Sequence, residues 1–402
     1  MRLELEPIPV SAFTCVTACG SGNGALYDAL RHNRSALTKP SVLELAFPTF
    51  VGEINEVLPQ LRSDLTEFNT RNAQIALAAL YQESDGILNA VNRAASEYGR
   101  DRVGVVLGTS TSGLFETESA YEFYLAKRAM PIDFNFLTRH AYQATGRLVQ
   151  RELGLTGPCF AISTACSSSA KALAAAQRLI NAGVCDAVLS GGIDSLCGLT
   201  LRGFRSLELI SDTRCQPMDK SRSGISIGEA AGLLLLEKPN AAYINKPHLL
   251  AVGESSDAYH MSSPHPEGAG ARIAMQRALS HAGYRAADID YVNFHGTATL
   301  MNDKVESKAV YDIFSNGVPC SGTKGVTGHT LGAAGAIETI VALLALEHEF
   351  VPGTCGLLEI DPDLRCDIVP EPRSRPGLRS VMSNAFGFGG NNTSVIVAQN
   401  RG

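Results

Sequence analysis

Apolar, strand-like runs recur along this chain with helical segments between them, and few architectures accommodate that pattern. The runs fall at 103–107, 159–162, 187–189, 233–236, 249–252, 291–294, 381–383 and 394–398. Such alternation predicts α/β layers with helices packed against sheets. The stretch 237–247 is polar and bracketed by Pro239 and Pro247, which marks a linker. It divides the chain into 1–246 and 247–402. The two parts echo each other faintly, each closing with a short strand, glycine and a second apolar run. Residues 44–71 and 116–151 are more irregular and polar, as expected for a cap or a dimer surface.

One strand–helix junction carries chemistry. Cys159 to Ile162 reads as a short buried strand; from Ser167 onward Ala170, Leu173, Ala174, Leu179 and Ile180 recur at helical spacing until Gly183. Cys166 lies at the start of that helix, where free N–H groups and the helix dipole favour an anion. The position predicts a lowered thiol pKa, and a thiolate attacks acyl groups. Most free cysteines are simply small buried hydrophobes, so two distant segments matter. Tyr291-Val292-Asn293-Phe294 runs into His295-Gly296-Thr297-Ala298-Thr299, and a Gly/Thr-rich turn holding Lys324 and His329 opens an apolar helix at 333–346. Glycine lets backbone approach a ligand closely, and hydroxyls donate hydrogen bonds. A cysteine with two histidines is also a metal-ligand set, but these spacings resemble no compact zinc pattern.

Composition narrows the partners. A net charge of −6 argues against nucleic acid as the main one. The ten cysteines include no C-x-x-C pair, which points to a reduced, cytoplasmic protein. Residues 1–7 carry acids and a proline where a signal peptide would place its apolar core, and the runs at 233–236 and 340–346 are too short to cross a bilayer, so no membrane is expected.

With these motifs in view, the chain resembles a β-ketoacyl-acyl carrier protein synthase of the elongating Cys-His-His type, within the thiolase-fold superfamily. The likeness is carried by Thr164-Ala165-Cys166-Ser167-Ser168, His295-Gly296-Thr297, residues 324–329, and Asn384-Ala385-Phe386-Gly387-Phe388-Gly389-Gly390-Asn391-Asn392, in order and spacing over nearly the whole chain. It implies a five-layer αβαβα sandwich of two similar halves. It also implies decarboxylative Claisen condensation of an acyl group held on Cys166 with malonyl-acyl carrier protein, in fatty acid or specialised polyketide or aryl-polyene-type biosynthesis. His295 and His329 would donate to the malonyl thioester carbonyl, Lys324 would be the active-site lysine, and Phe388 would gate the acyl pocket while its N–H joins that of Cys166 in an oxyanion hole. Glu338, or Glu306 or Asp303, would balance the lysine. Thr297 and Thr299 would hold the pantetheine arm, with the loop 257–264, including Met261 and Ser262, and the turn of Gly387 and Gly389 around the substrate; His260 reads as loop structure. No cofactor is required, although Asn293, Glu338, Ser383 and Asn384 match positions that hold a structural monovalent cation (sodium or potassium) in relatives.

Two other functions fit parts of the pattern: a non-condensing, chain-length-determining partner of another ketosynthase, or a Cys/His thioester hydrolase. The first usually lacks the cysteine; the second has no use for the second histidine, the lysine or the Phe-Gly-Phe loop. The family's usual Gly-Thr-Gly/Ser-Thr-Pro after the first histidine is Gly-Thr-Ala-Thr-Leu here, departing at Ala298 and Leu300, and the segment before Val103 is the least family-like. The resemblance implies a homodimer, or a heterodimer with a ketosynthase-like subunit, with 156–163 as the candidate interface strand. An acidic enzyme meeting an acidic carrier predicts clustered cations near the pocket, with Lys127, Arg128, Arg202 and Arg205 as candidates.

Overall fold

A computed structural model of the chain describes residues 5–400; residues 1–4 of the N-terminal stretch read above lie outside the described residues. Strands β1 (Ile8–Thr17), β2 (Val103–Gly108), β3 (Cys159–Ile162), β4 (Ala187–Asp194) and β5 (Ala230–Glu237) form one half of a twelve-stranded sheet, in the order β3-β2-β4-β5-β1. Strands β6 (Pro247–Ser256), β7 (Tyr291–Asn293), β8 (Pro319–Ser321), β9 (Ser380–Gly387) and β10 (Asn391–Gln399) form the other, in the order β8-β7-β9-β10-β6, and two-residue strands at Gly20–Ser21 beside β1 and Asp367–Ile368 beside β8 complete the twelve. The two orders are the same sequence of connections. Directions repeat as well: β2 runs parallel to β3 and β4, and β7 parallel to β8 and β9. In each half the remaining pairs are antiparallel. The halves meet where β1 pairs with β6 at Ile8 with Leu249 and Pro9 with His248.

Seven helices complete five layers. Helices α1 (Arg71–Leu80), α2 (Ile87–Tyr98) and α3 (Ala144–Glu152) cover the outer face of the first half. Helix α4 (Ser168–Asn181) lies in the middle layer, α5 (Ala269–Ala282) and α6 (Leu300–Phe314) cover the outer face of the second half, and α7 (Ala334–His348) joins α4 between the sheets. A helix enclosed on all sides must be apolar all round, and α7 is buried at every position from Ala334 to Leu346. With the preceding turn it spans Leu331–His348, long and apolar enough to cross a bilayer, so the run read at 340–346 was only part of it. Of that window 89% is buried, and the two flanking sheets account for its composition.

Close approach explains where sequence reading fell short. A Cβ at Gly108 would lie 2.3 Å from Ser169 N, so β2 touches the first turn of α4 backbone to backbone. A Cβ at Gly335 would lie 2.8 Å from Ala170, so the two middle helices meet in the same way. Strands β4 and β9 continue through the Ser, Gly and Asn residues at which an apolar pattern stops, because both faces are covered. Strand β1 was not anticipated: Ser11, Thr14 and a bulge between Val10 and Ala12 break its alternation.

Candidate active site

Cys166 stands between β3 and α4, on a turn whose preceding residue, Ala165, is left-handed at φ 52°. Such strain persists only where surroundings enforce it. Here Ser167 Oγ donates to Thr164 O (2.8 Å), Ser168 Oγ donates to Ala165 O (2.6 Å), and Thr164 N–H donates to Ser168 Oγ (2.9 Å). The thiol is 5% exposed. Burial pushes it up to about 11, against the pull of Lys324 and of the Phe388 N–H aimed at it. The expected lowering by the helix start is therefore overturned: desolvation of the thiolate outweighs the helix N-terminus.

Both histidines reach this sulfur from the second half. His329 Nε2 lies 3.0 Å from Cys166 Sγ, and the two imidazoles face each other edge-on, 5.2 Å between centroids. His329 Nδ1 accepts the Leu331 N–H at 3.2 Å. His295 Nδ1 faces the donor Lys324 Nζ, also at 3.2 Å. Each neutral ring has one acceptor nitrogen and one N–H, so filling Nδ1 leaves the proton on Nε2 of both. Burial and Lys324 hold both imidazoles well below the usual range, hence neutral. The site thus presents two neutral N–H donors beside a thiol. One ring nitrogen from each histidine and the sulfur lie within 4.8 Å of one another, the convergence that spacing alone had not suggested.

The lysine's acid is Glu338. Lys324 Nζ donates to Glu338 and to the His295 carbonyl, all buried, and burial raises the Glu338 carboxyl to about 7 against the attraction of the lysine. The other two acids serve the histidine loop instead. Glu306 accepts the N–H groups of His295 (2.7 Å) and Gly296 (2.8 Å), and Asp303 accepts those of Met218 (2.8 Å) and Ala298 (3.2 Å). His329 is clamped by 226–228: its N–H donates to Ser226 O (2.7 Å) and its carbonyl accepts from Gly228 N–H (2.9 Å). Gly52 N–H donates to Ile227 O, and a Cβ on Gly52 would lie 2.1 Å from Thr327 O. Part of 44–71 is therefore a buried brace beneath the second histidine, not a cap. Sequence reading missed that brace; only the paired glycines Gly52 and Gly228 hinted at close packing.

Two cavities meet at Cys166. The first, about 320 Å³, is lined by Cys166, His295, His329, Thr297, Thr299, Ser262, Gly387, Phe388 and Gly389. The second, about 400 Å³ and mostly apolar, is lined by Thr111, Thr200, Phe204, Leu207, Leu331 and Phe388. Phe388 borders both and packs on Phe204, 5.1 Å between centroids. Gly389 and Gly390 turn through φ 77° and 72°, which glycine alone adopts freely. The Gly389 N–H donates to Met261 O at 2.8 Å, while the Met261 side chain is exposed and outside the lining. Thr297 and Thr299 share a hydroxyl contact of 3.0 Å at the cavity wall. His260 stays exposed, hydrogen-bonded only within its own loop.

Of the four oxygen-rich residues, Ser383 and Asn293 are register partners on β9 and β7. Asn293 Oδ1 accepts from Tyr291 OH (3.0 Å), and Asn384 is engaged by Ser394 (2.8 Å) and Glu306 (3.3 Å). Glu338 Oε2 is buried and has no hydrogen-bond partner among the described residues. None of Lys127, Arg128, Arg202 and Arg205 lines the first cavity, and Arg205 is paired with Asp212 at 2.6 Å.

Residues 6–242 match the family described as "Beta-ketoacyl synthase, N-terminal domain" and residues 248–358 the one described as "Beta-ketoacyl synthase, C-terminal domain". The chain is 31% identical over 392 residues to Nodulation protein E of Rhizobium sp. (strain N33), covering 95% of this chain and 96% of that one. It is 33% identical over 312 residues to 3-oxoacyl-(acyl-carrier-protein) synthase 2 of Staphylococcus aureus (strain COL), covering 74% and 75%. Among solved structures, it superposes with TM-score 0.90 and 38% identity, over 98% of both chains, on a ketosynthase in complex with its chain length factor from Xenorhabdus doucetiae.

Proposed function

The chain belongs to the β-ketoacyl synthase family, condensing acyltransferases of fatty acid and polyketide biosynthesis, and from that premise we propose that it is a competent decarboxylative ketosynthase acting on carrier-bound substrates. The observation that carries this reading is the pairing of Cys166 with two imidazoles whose Nδ1 atoms are both occupied by donors. A chain-length-determining subunit would need none of these three side chains, and a hydrolase would need a base, whereas both rings are set to donate.

In this reading the Cys166 thiol gives up its proton and attacks the acyl thioester; the new S–C bond replaces that to the pantetheine sulfur, which takes up a proton in exchange and leaves as a thiol. Malonyl thioester then loses carbon dioxide, and the enolate oxygen accepts hydrogen bonds from His295 and His329 Nε2–H. The enolate carbon attacks the acyl carbonyl, whose oxyanion is met by the N–H groups of Cys166 and Phe388. Collapse frees the Cys166 thiolate and the 3-oxoacyl thioester. Lys324, held by Glu338, fixes the His295 tautomer. The apolar second cavity receives the acyl chain and the first the pantetheine arm, past Thr297, Thr299 and Ser262.

The remaining assignments rest on local chemistry. The unpartnered, buried Glu338 Oε2, together with Ser383 and Asn293 in register on β9 and β7, suits a hard monovalent cation, with a structural role only. Strand β3 ends its sheet and pairs on one side, with β2, and Phe160 is half-exposed on it. A second ketosynthase-like subunit, identical or not, would extend the sheet there. The neighbouring segment 121–142 adds exposed Tyr121, Ile132, Phe136 and Tyr142 to such an interface. Ten unpaired cysteines fit a reducing, cytoplasmic setting.

The test is mass spectrometry after incubation with acyl-carrier proteins of graded chain length. The Cys166 peptide gains the acyl mass, Cys166→Ala gains none, and Cys166→Gln still decarboxylates malonyl-carrier protein. Acylation of the Cys166→Ala chain at another residue would end this reading.

A further inference from the structure

An arm-borne substrate enters through the first cavity, so the protein that carries the arm must rest its surface on the residues ringing that mouth. The mouth is not basic. Its charged side chains, the neutral histidines aside, are Glu208 and Asp257, in a chain of net charge −6. Three large apolar side chains of the lining stand at least half exposed, Leu207 at 50%, Leu300 at 59% and Met301 at 50%, beside exposed Glu208 and Ser223. Met261, 78% exposed, stands beside Ser262 and Ser263 of the same lining, and its carbonyl is tied to Gly389. Leu300 and Met301 are the first two residues of α6, capped by Thr299, whose Oγ1 accepts the Asn302 N–H at 3.3 Å. Their side chains therefore stand on a fixed helix start, on the sequence where this chain leaves its family's usual pattern.

We propose that the carrier protein docks on this apolar rim of Leu207, Leu300, Met301 and Met261, and not on clustered cations. The partner that fits is a carrier with an apolar surface beside the attachment point of its arm. This rests on the carrier-borne reading above. Desolvating such a rim drives association without the salt-sensitive attraction of opposite charges.

Salt and substitution test it together, by steady-state kinetics with acyl-carrier protein and with the corresponding acyl-pantetheine thioester. For the unaltered protein, KM for the carrier substrate stays flat or falls between roughly 0.05 and 0.5 M sodium chloride. In Leu300→Asp/Met301→Asp the ratio of the carrier KM to the pantetheine-thioester KM rises about tenfold or more; acids suit the first turn of a helix, so the fold tolerates the change. Lys127→Glu/Arg128→Glu leaves both KM values within about twofold. A carrier KM that climbs with salt, or that responds to Lys127→Glu/Arg128→Glu and not to the rim, overturns the proposal. Turnover of the pantetheine thioester but of no carrier-bound acyl group by the unaltered protein would instead remove the carrier reading, and the rim with it.

Discussion

The two halves of this molecule share one topology and, on the reading proposed above, divide one reaction. In the first half, the junction of β3 with α4 presents a thiol. In the second, the equivalent junction of β8 with α7 presents Lys324 and His329, and the end of β7 adds His295. The end of β2, equivalent to that of β7, carries no imidazole. There Thr109, Ser110 and Thr111 wrap the buried Asp194, which accepts from Thr111 N–H at 2.8 Å and from Gly332 N–H at 2.6 Å. On the proposed reading, one scaffold is used once to hold an acyl chain and once to hold donors. The lesson is that repeated strand–helix geometry fixes where chemistry can occur, and the residues at each junction decide which part of it.

If that division is right, each half can be disabled alone. Cys166→Ala should lower condensation by about 10³-fold or more, because the acyl group has no other anchor, while malonyl decarboxylation survives. His295→Ala should show the reverse: decarboxylation down by about 10²–10³-fold, with Cys166 still acylated, as an intermediate trapped by mass spectrometry. Loss of both half-reactions in either variant would mean that the halves do not act separately.

Smaller effects probe what ties them together. With the thiol pushed up to about 11, the thiolate fraction below that value grows tenfold per pH unit. Alkylation of Cys166 by iodoacetamide should therefore accelerate about tenfold per unit between roughly pH 7 and 9; a plateau by pH 8 would show that the helix start governs the sulfur after all. The mildest change concerns the seam of the middle layer, where Ala336 N–H, in the first turn of α7, donates to Ser169 Oγ of α4 at 2.8 Å. Ser169→Ala strands that buried N–H and should lower stability by about 1–3 kcal/mol in denaturant titration.

How much of this was readable beforehand follows the range of the interactions. Cys166, both histidines, Lys324 and the Phe388 turn were legible because each sits in a short motif whose glycines, serines and threonines are needed locally. The identity of the lysine's acid was open among three, since Glu338, Glu306 and Asp303 reach the site from helices whose sequence says nothing about which loop they face. The direction of the thiol's shift was misread for a similar reason: a helix start is visible in sequence, whereas enclosure by Phe388, Gly387 and His329 is not. Strand β1 escaped notice because its mixed pattern satisfies one neighbour over Val10 to Val16 and another at Ile8 and Pro9. The brace of Gly52 under Thr327 is a contact between residues far apart in sequence, marked by nothing but small size.

The meeting of two cavities at one sulfur has a consequence for timing. On the proposed reading, an acyl chain stays in the apolar chamber while the arm that delivered it withdraws, but the donor arm and the malonyl arm both need the same vestibule. They must queue. Initial rates measured against both carrier substrates should then fall on parallel double-reciprocal lines, with free carrier competing for the malonyl turn, so that the shape of a hollow dictates the order of events.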